Sequence, residues 1–503
     1  MRLSLLKKAA TSLALMGIFY TAQSQSTNFP LKVCATPDHT LPWLRDFQQN
    51  AIISPRSNEI FYVPVVLHIV GTDDGRGFIA ESKVLDAFCS LNQHFIQAGI
   101  QFFINGHIRR IPNSNFYDHR SGSTAISMMN LHNIPGAINT YFVHNAADAC
   151  GYTLRDNSGL GIGIALSEEC TGLNTTTWTH EMGHFFSLPH TFKGWERETL
   201  NWSLSAPARA GGVAVEYADG RNCAIAGDGF CDTPADYLNG RWFCGPQAQS
   251  QIVQLDPSGQ SFRSDGSLFM SYSADPCASR FSPMQQNAMR AYLKAIRIDL
   301  IRPLTESANL TFRSEIQLLQ PANAANVQNF QEVLVSWKSA SEAIGYLVEF
   351  SFLPSFPFLT NSYLTKDTAL LIKDLKPSKT YFWRIRPFSM FSTCKVYSKP
   401  QQFTTGTVTY LDHLNPIQRD LVLFPNPARI GQPLSLKFTS DIPGNMEFQL
   451  MDLTGRIAAF GSWEITHGEN LLQLNRLPDQ QGTFLLRLRA EGKTISRKIF
   501  IGP

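Results

Sequence analysis

The stretch His180-Glu181-Met182-Gly183-His184-Phe185-Phe186-Ser187-Leu188-Pro189-His190 constrains this chain more than any other. Residues four apart on an α-helix stand over one another, so His180 and His184 direct two imidazoles at one point. Glu181 lies one step round the helix, beside that point. Pro189 cannot continue the helix, so the chain turns back and brings His190 in as a third imidazole. Three nitrogen ligands and one position left for water make a catalytic zinc site. His-Glu-x-x-His alone arises by chance in on the order of one chain in a hundred. The third histidine and the proline stop make an accident hard to sustain.

The surroundings suit such chemistry. Arg2, Lys7 and Lys8 precede an apolar run from Ala9 to Tyr20, closed by Ala22-Gln23-Ser24. This reads as a secretory signal over 1–24, the run being shorter than the roughly 20 residues a membrane span needs. No later stretch is apolar enough to span, and no cysteine follows closely enough to suggest a lipid anchor. A secreted chain is free to form disulfides. Six of the nine cysteines (Cys34, Cys89, Cys150, Cys170, Cys223, Cys231, Cys244, Cys277, Cys394) crowd into 150–277, and the odd count leaves one thiol over. A formal net charge of +3 with no basic stripe excludes an electrostatic nucleic-acid binder.

At 503 residues the chain holds about two to four domains. From about Asn58 the pattern is α/β. Strands are expected over 59–71, 100–104, 137–145 and 159–166, and a helix over 81–99 with Gly99 as its stop. The glycines of 159–166 suggest a sheet edge or a close approach of backbone to a ligand. The motif helix is expected from about Thr175. After about Ser307 helical periodicity vanishes. Alternating strands, Trp337 and the Leu375-Pro377-Tyr381 spacing resemble a fibronectin type III sandwich with its tyrosine corner over 315–408.

From about Tyr410 the chain is again all strands. Phe424-Pro425-Asn426-Pro427, Asp452, Gly455, Gly482-Thr483-Phe484 and Lys498 before a last apolar strand resemble a type IX secretion C-terminal sorting domain over 415–503. That resemblance implies a Gram-negative bacterium, type IX secretion machinery as a partner and release or surface attachment after processing.

His180-Glu181-x-x-His184-x-x-Ser187-x-x-His190 resembles the metzincin consensus, and HEMGHFFSLPHTF is similar to its pappalysin branch. GDGFCDTPAD (227–236), LFMSYS (268–273) and DPCASRFSPMQQNAMR (275–290) resemble further segments of that family. The likeness spans roughly 58–305. It implies a multidomain chain in which an α/β metzincin-like catalytic domain (58–306), with a mixed twisted sheet and an active-site helix, precedes two all-β sandwiches. It implies a zinc metalloendopeptidase that cleaves extracellular proteins or peptides. Two departures stand out: Ser187 replaces the family's glycine, and the Met-turn lacks its usual asparagine.

By the same resemblance, Met270 is an apolar floor beneath the metal and Tyr272 a donor to the developing oxyanion, with Glu181 as general base. Cys34-Ala35-Thr36 is similar to a family sequence lying in a propeptide, here 25–57, where a thiolate can take the water's place on zinc and keep the precursor latent. Asp228, Asp232 and Asp236 offer the hard oxygens calcium prefers, or are turn caps. Cys231 and Cys277 are expected to tie their loops together. Asp265 is either a specificity charge for basic residues or a loop aspartate. The rival reading is a catalytically inactive surface adhesin or binding protein on a metzincin scaffold, motivated by Ser187.

Overall fold

The computed structural model describes residues 32–37, 41–50, 59–199, 201–304, 316–408, 421–440, 443–490 and 493–503. The expected signal over 1–24 and part of the expected 25–57 segment lie outside them.

The first unit is built on a nine-stranded mixed sheet. Its strands are β1 (Lys32–Cys34), β2 (Phe61–Gly71), β3 (Ile100–Ile104), β4 (Arg109–Pro112), β5 (Asp118–His119), β6 (Ile138–Val143), β7 (Asn145–Ala146), β8 (Ala149–Arg155) and β9 (Gly161–Ser167). The main path runs β3-β2-β6-β9-β8-β7-β5, with β1 added on β8 and β4 on β2. β2 is buried at all of its positions because it pairs in parallel with β3, β4 and β6 and is covered on both faces.

Six helices complete the unit: α1 (Pro42–Asn50), α2 (Glu81–Phe95), α3 (Ser114–Tyr117), α4 (Gly122–His132), α5 (Thr177–Phe185) and α6 (Pro283–Ala295). The helical spacing in 81–99 appears as α2, which turns Val84, Leu85, Phe88, Leu91 and Phe95 inward. A 3-10 turn follows and stops at Gly99, whose φ of 62° suits glycine. α5 packs on β8 and β9, and its Trp178, Met182 and Phe185 join the main core.

β9 is not an edge strand, which rules out the first of the two expectations drawn from its glycines. It lies between β6 and β8, and its glycines make room for neighbours instead. A Cβ on Gly161 would stand 2.6 Å from the Phe185 ring, and one on Gly163 2.7 Å from the Met129 sulfur.

Two all-β units follow. In the first, a three-stranded sheet (Leu318–Gln320, Val333–Trp337, Ala369–Ile372) faces a five-stranded one (Ala325–Asn329, Gln401–Val408, Thr380–Phe388, Gly345–Ser351, Asn361–Thr365). Trp337 and Trp383 fill the space between, and the Lys376 N–H donates to the Tyr381 hydroxyl at 2.8 Å, the expected corner. The second pairs a three-stranded sheet (Val422–Phe424, Leu434–Ser440, Gly468–Leu474) with a five-stranded one that ends on Lys493–Gly502.

The first sandwich is clamped to the α/β unit. Cys89 of α2 is bonded to Cys394, Arg386 meets Asp86 at 2.8 Å with both side chains buried, and the Ile104 N–H donates to the Met390 carbonyl at 2.8 Å. Among the described residues no helix is long and apolar enough to cross a membrane.

Candidate metal centre

α5 is anchored before its first turn. Asp275 Oδ1 accepts from the Thr176 N–H at 2.8 Å and from its hydroxyl at 2.7 Å, placing a carboxylate at the positive end of the helix. The far end closes as a Schellman motif: the Ser187 N–H donates to the His184 carbonyl and the Leu188 N–H to the Gly183 carbonyl, each at 3.0 Å. Ser187 therefore takes the left-handed position, with φ at 76°. It makes the bend a glycine would make, and His190 is not displaced. The departure that motivated the inactive-scaffold reading thus leaves the site assembled.

The three imidazoles converge. His184 Nε2 is 3.1 Å from His180 Nε2 and 3.0 Å from His190 Nε2. Each Nδ1 has an acceptor: the Phe269 carbonyl at 2.7 Å for His180, the Leu188 carbonyl at 2.8 Å for His184, and Glu196 Oε1 at 3.4 Å for His190. A carbonyl only accepts, so the His180 and His184 Nδ1 atoms carry protons and their Nε2 lone pairs point at each other. Such a face is stable only around a cation. Tetrahedral ligands at about 2.0–2.1 Å stand roughly 3.3 Å apart, close to the separations here, so the residues fit zinc. Burial, then the neighbouring His190, holds His180 down to about 3 and His184 well below the usual imidazole range, which keeps both in the neutral form a metal requires.

Cys34 is the fourth member of the cluster, and its ligand atom and those of the three histidines all lie within 4.8 Å of one another. It arrives on β1, which runs parallel to β8 with Cys34 opposite Gly151. It is the free cysteine, and it is buried. Burial and then the Glu181 carboxylate push its thiol well above the ordinary value, so ionised sulfur here calls for a cation beside it.

Glu181 is fully buried. Its Oε2 accepts from the Thr36 hydroxyl at 2.7 Å, while the Thr153 hydroxyl donates to the Glu181 carbonyl at 2.6 Å and stands 3.2 Å from Oε2. Burial raises its pKa against the opposing pull of Cys34 and Thr36. The Tyr272 ring stands 5.7 Å from that of His180 and 5.0 Å from that of His190, and its hydroxyl donates to the Cys34 carbonyl at 3.3 Å. Met270 is wholly buried beneath the helix, and a Cβ on Gly183 would collide with its sulfur. Gly183 is therefore the residue that lets the Met270 turn sit under the metal ligands.

The three aspartates are each held by protein donors, and nothing here supports calcium at them. Asp228 accepts from the Phe230 N–H and the Thr233 hydroxyl, each at 2.9 Å. Asp232 takes the Ser282 hydroxyl at 2.6 Å and the Met284 N–H at 2.7 Å, so it secures the start of α6. Asp236 joins Thr191 at 2.7 Å, Ser271 at 2.9 Å and Ser264 at 2.6 Å, tying the turn after His190 to the turn after Met270. Their oxygens are spent on protein donors, and no metal-ligating cluster among the described residues includes them.

Nor does Cys231 pair with Cys277. Cys231 is bonded to Cys223 and Cys277 to Cys244, each closing its own loop, and Cys150–Cys170 is the fourth bridge. Asp265 is paired with Arg280 at 2.7 Å, so its charge is balanced. Thr153 and Glu196 escaped sequence reasoning, which meets Thr36 only as part of the Cys34-Ala35-Thr36 motif, with no role of its own. A lone threonine and a glutamate carry no pattern, and only pairing of β1 with β8 brings Thr36 and Thr153 to Glu181.

No family model matches the chain. It is similar to proteins named extracellular metalloprotease. One from Colletotrichum graminicola is 25% identical over 252 residues, 47% of this chain and 77% of that one. One from Podospora anserina is 25% identical over 258 residues, 47% and 74% of the two chains, and one from Arthroderma benhamiae is 24% identical over 254 residues, 47% and 78%. These relatives support a secreted metalloprotease. Among solved structures, the fibronectin(III)-like modules of Clostridium thermocellum CbhA align over 37% of this chain and 93% of that one, at 14% identity and a TM-score of 0.18. A fibronectin type III domain of human KIAA0970 protein aligns over 21% and 87%, at 20% identity and a TM-score of 0.17.

Proposed function

We propose that this chain is a secreted zinc metalloendopeptidase of the pappalysin type, made as a latent precursor and exported by type IX machinery through the 415–503 sandwich after removal of residues 1–24. The observation that carries the reading is the convergence of three imidazole nitrogens and the Cys34 sulfur on one point beside Glu181. His180, His184 and His190 hold the ion. Zinc there supplies a Lewis acid for a peptide carbonyl and lowers the pKa of water.

The Glu181 carboxylate takes the proton of the attacking water and returns it to the departing amine nitrogen. Tyr272 donates to the carbonyl oxygen of the scissile bond, as it already donates to the Cys34 carbonyl. The segment around Cys34, within 25–57, covers the catalytic unit of 58–306 until it is cut away. Its departure frees backbone groups of β8 to pair with an extended protein or peptide substrate.

The test uses purified, processed protein. Metal analysis is expected to find one zinc per chain, a chelator to abolish casein cleavage, and Glu181→Ala to keep the zinc while losing cleavage. Wild-type cleavage by the Glu181→Ala variant refutes the assignment. Absence of zinc with undiminished casein cleavage refutes the metal.

A further inference from the structure

The geometry assigns Thr36 a latch of its own, in which one residue holds the two reactive groups of the site at once, the Cys34 sulfur through its backbone and the Glu181 carboxylate through its side chain. The Thr36 N–H donates to Cys34 Sγ at 3.3 Å. The Thr36 hydroxyl donates to Glu181 Oε2 at 2.7 Å and accepts from the Thr153 N–H at 2.7 Å. Its donor and one acceptor position are thus used, and the side chain is buried.

Three consequences follow from this placement. First, Glu181 Oε2 accepts from the Thr36 hydroxyl at 2.7 Å, so one oxygen of the carboxylate is held by the segment itself. A segment that only placed sulfur at the histidines would not touch that oxygen. Second, sulfur and a carboxylate oxygen both accept hydrogen bonds, and Thr36 donates to each, its N–H to Cys34 Sγ and its hydroxyl to Glu181 Oε2. Third, the Thr153 N–H belongs to β8, so the latch registers β1 on that strand: Cys34 lies opposite Gly151, and Thr36 two residues on meets Thr153.

The inference rests on the reading that the Cys34 segment masks the site, yet its hydrogen bonds involve no metal, so the two are separable. Eight of the nine cysteines are in disulfides, which makes Cys34 the one thiol to label in the full-length precursor. The rate at which excess Ellman's reagent modifies it reports how often the segment opens.

With chelator present, Thr36→Val is expected to label about 10- to 100-fold faster than wild type, the span for a hydrogen bond to a charged group. Thr36→Ala should match it. Thr36→Ser, which keeps the hydroxyl, should stay within about 3-fold of wild type. In a Glu181→Ala background the effect of Thr36→Val should shrink to under about 3-fold, the mark of a direct pair. Wild-type labelling of both Thr36→Val and Thr36→Ala overturns the inference, as does an acceleration that persists undiminished in Glu181→Ala. A second arm with zinc tests the parent reading: if zinc adds no protection in wild type, masking by Cys34 fails, while the chelated arm still decides the role of Thr36.

Discussion

Replacing Ser187 by glycine should stabilise the α/β unit, against the usual trend for substitutions in a buried core. Ser187 is 1% exposed, has φ at 76°, and its hydroxyl has no hydrogen-bond partner. The left-handed conformation costs a residue with a Cβ about 1–2 kcal/mol. A buried hydroxyl without a partner costs about 1–3 kcal/mol more. Glycine returns about 0.5–1 kcal/mol of this through the greater freedom of its unfolded chain. The net gain is of the order of 2 kcal/mol, or about 4–8 °C in the midpoint of a unit of this size.

Ser187→Ala separates the two contributions, because it removes the hydroxyl and keeps the backbone cost. Its gain should be smaller than that of glycine by about 1 kcal/mol. The measurement is scanning calorimetry of the zinc-free precursor, with Glu181→Ala in every sample to prevent self-digestion. Zinc is left out because a ligand bound only by the folded state would hide the difference. Equal gains for alanine and glycine would show that the bend carries no backbone strain, and a loss for glycine would refute the reasoning altogether.

Two further outcomes follow from the site and its surroundings. Among the described residues Glu196 is the carboxylate that orients one of the three converging imidazoles, through His190 Nδ1, so Glu196→Gln should weaken zinc binding about 10-fold in a competition titration with a chromogenic chelator. Unchanged affinity would assign Glu196 to its loop alone, where it also accepts from the Gly194 N–H. Glu216 is pushed up to about 9 by burial and by the Asp228 and Asp236 charges, so the folded chain keeps a proton that the unfolded chain has released. Its contribution is present below the ordinary 4.5 and is lost as pH rises toward 9. Glu216→Gln should therefore raise the melting midpoint at pH 8 and leave it nearly unchanged at pH 4, and equal shifts at both would refute the sign.

Much of the imidazole cluster was legible because it is local. A helix fixes the i and i+4 relation of His180 and His184, but the bend that brings His190 back is made at Ser187, after the helix has ended at Phe185, and not at Pro189 as expected. The strands 61–71 and 100–104 and the helix 81–95 announced themselves by apolar spacing that the core then used. β8 did not: Ala149–Arg155 mixes small, polar and apolar residues, and its place depends on β9, β7 and β1. The aspartates of 227–236 read equally well as cation ligands or as caps, because a carboxylate's role is set by which donors reach it.

The sequence by itself determined that three imidazoles and a glutamate would share one helix and the bend beyond it, since backbone geometry acts over a few residues and needs no distant partner. Only the tertiary structure decided what faces them. Thr36 lies 145 residues from Glu181 and the Tyr272 hydroxyl 238 from the Cys34 carbonyl, and such pairs exist only once the sheet has closed. Contacts of that separation are chosen by the packing of the whole unit, which no short stretch records.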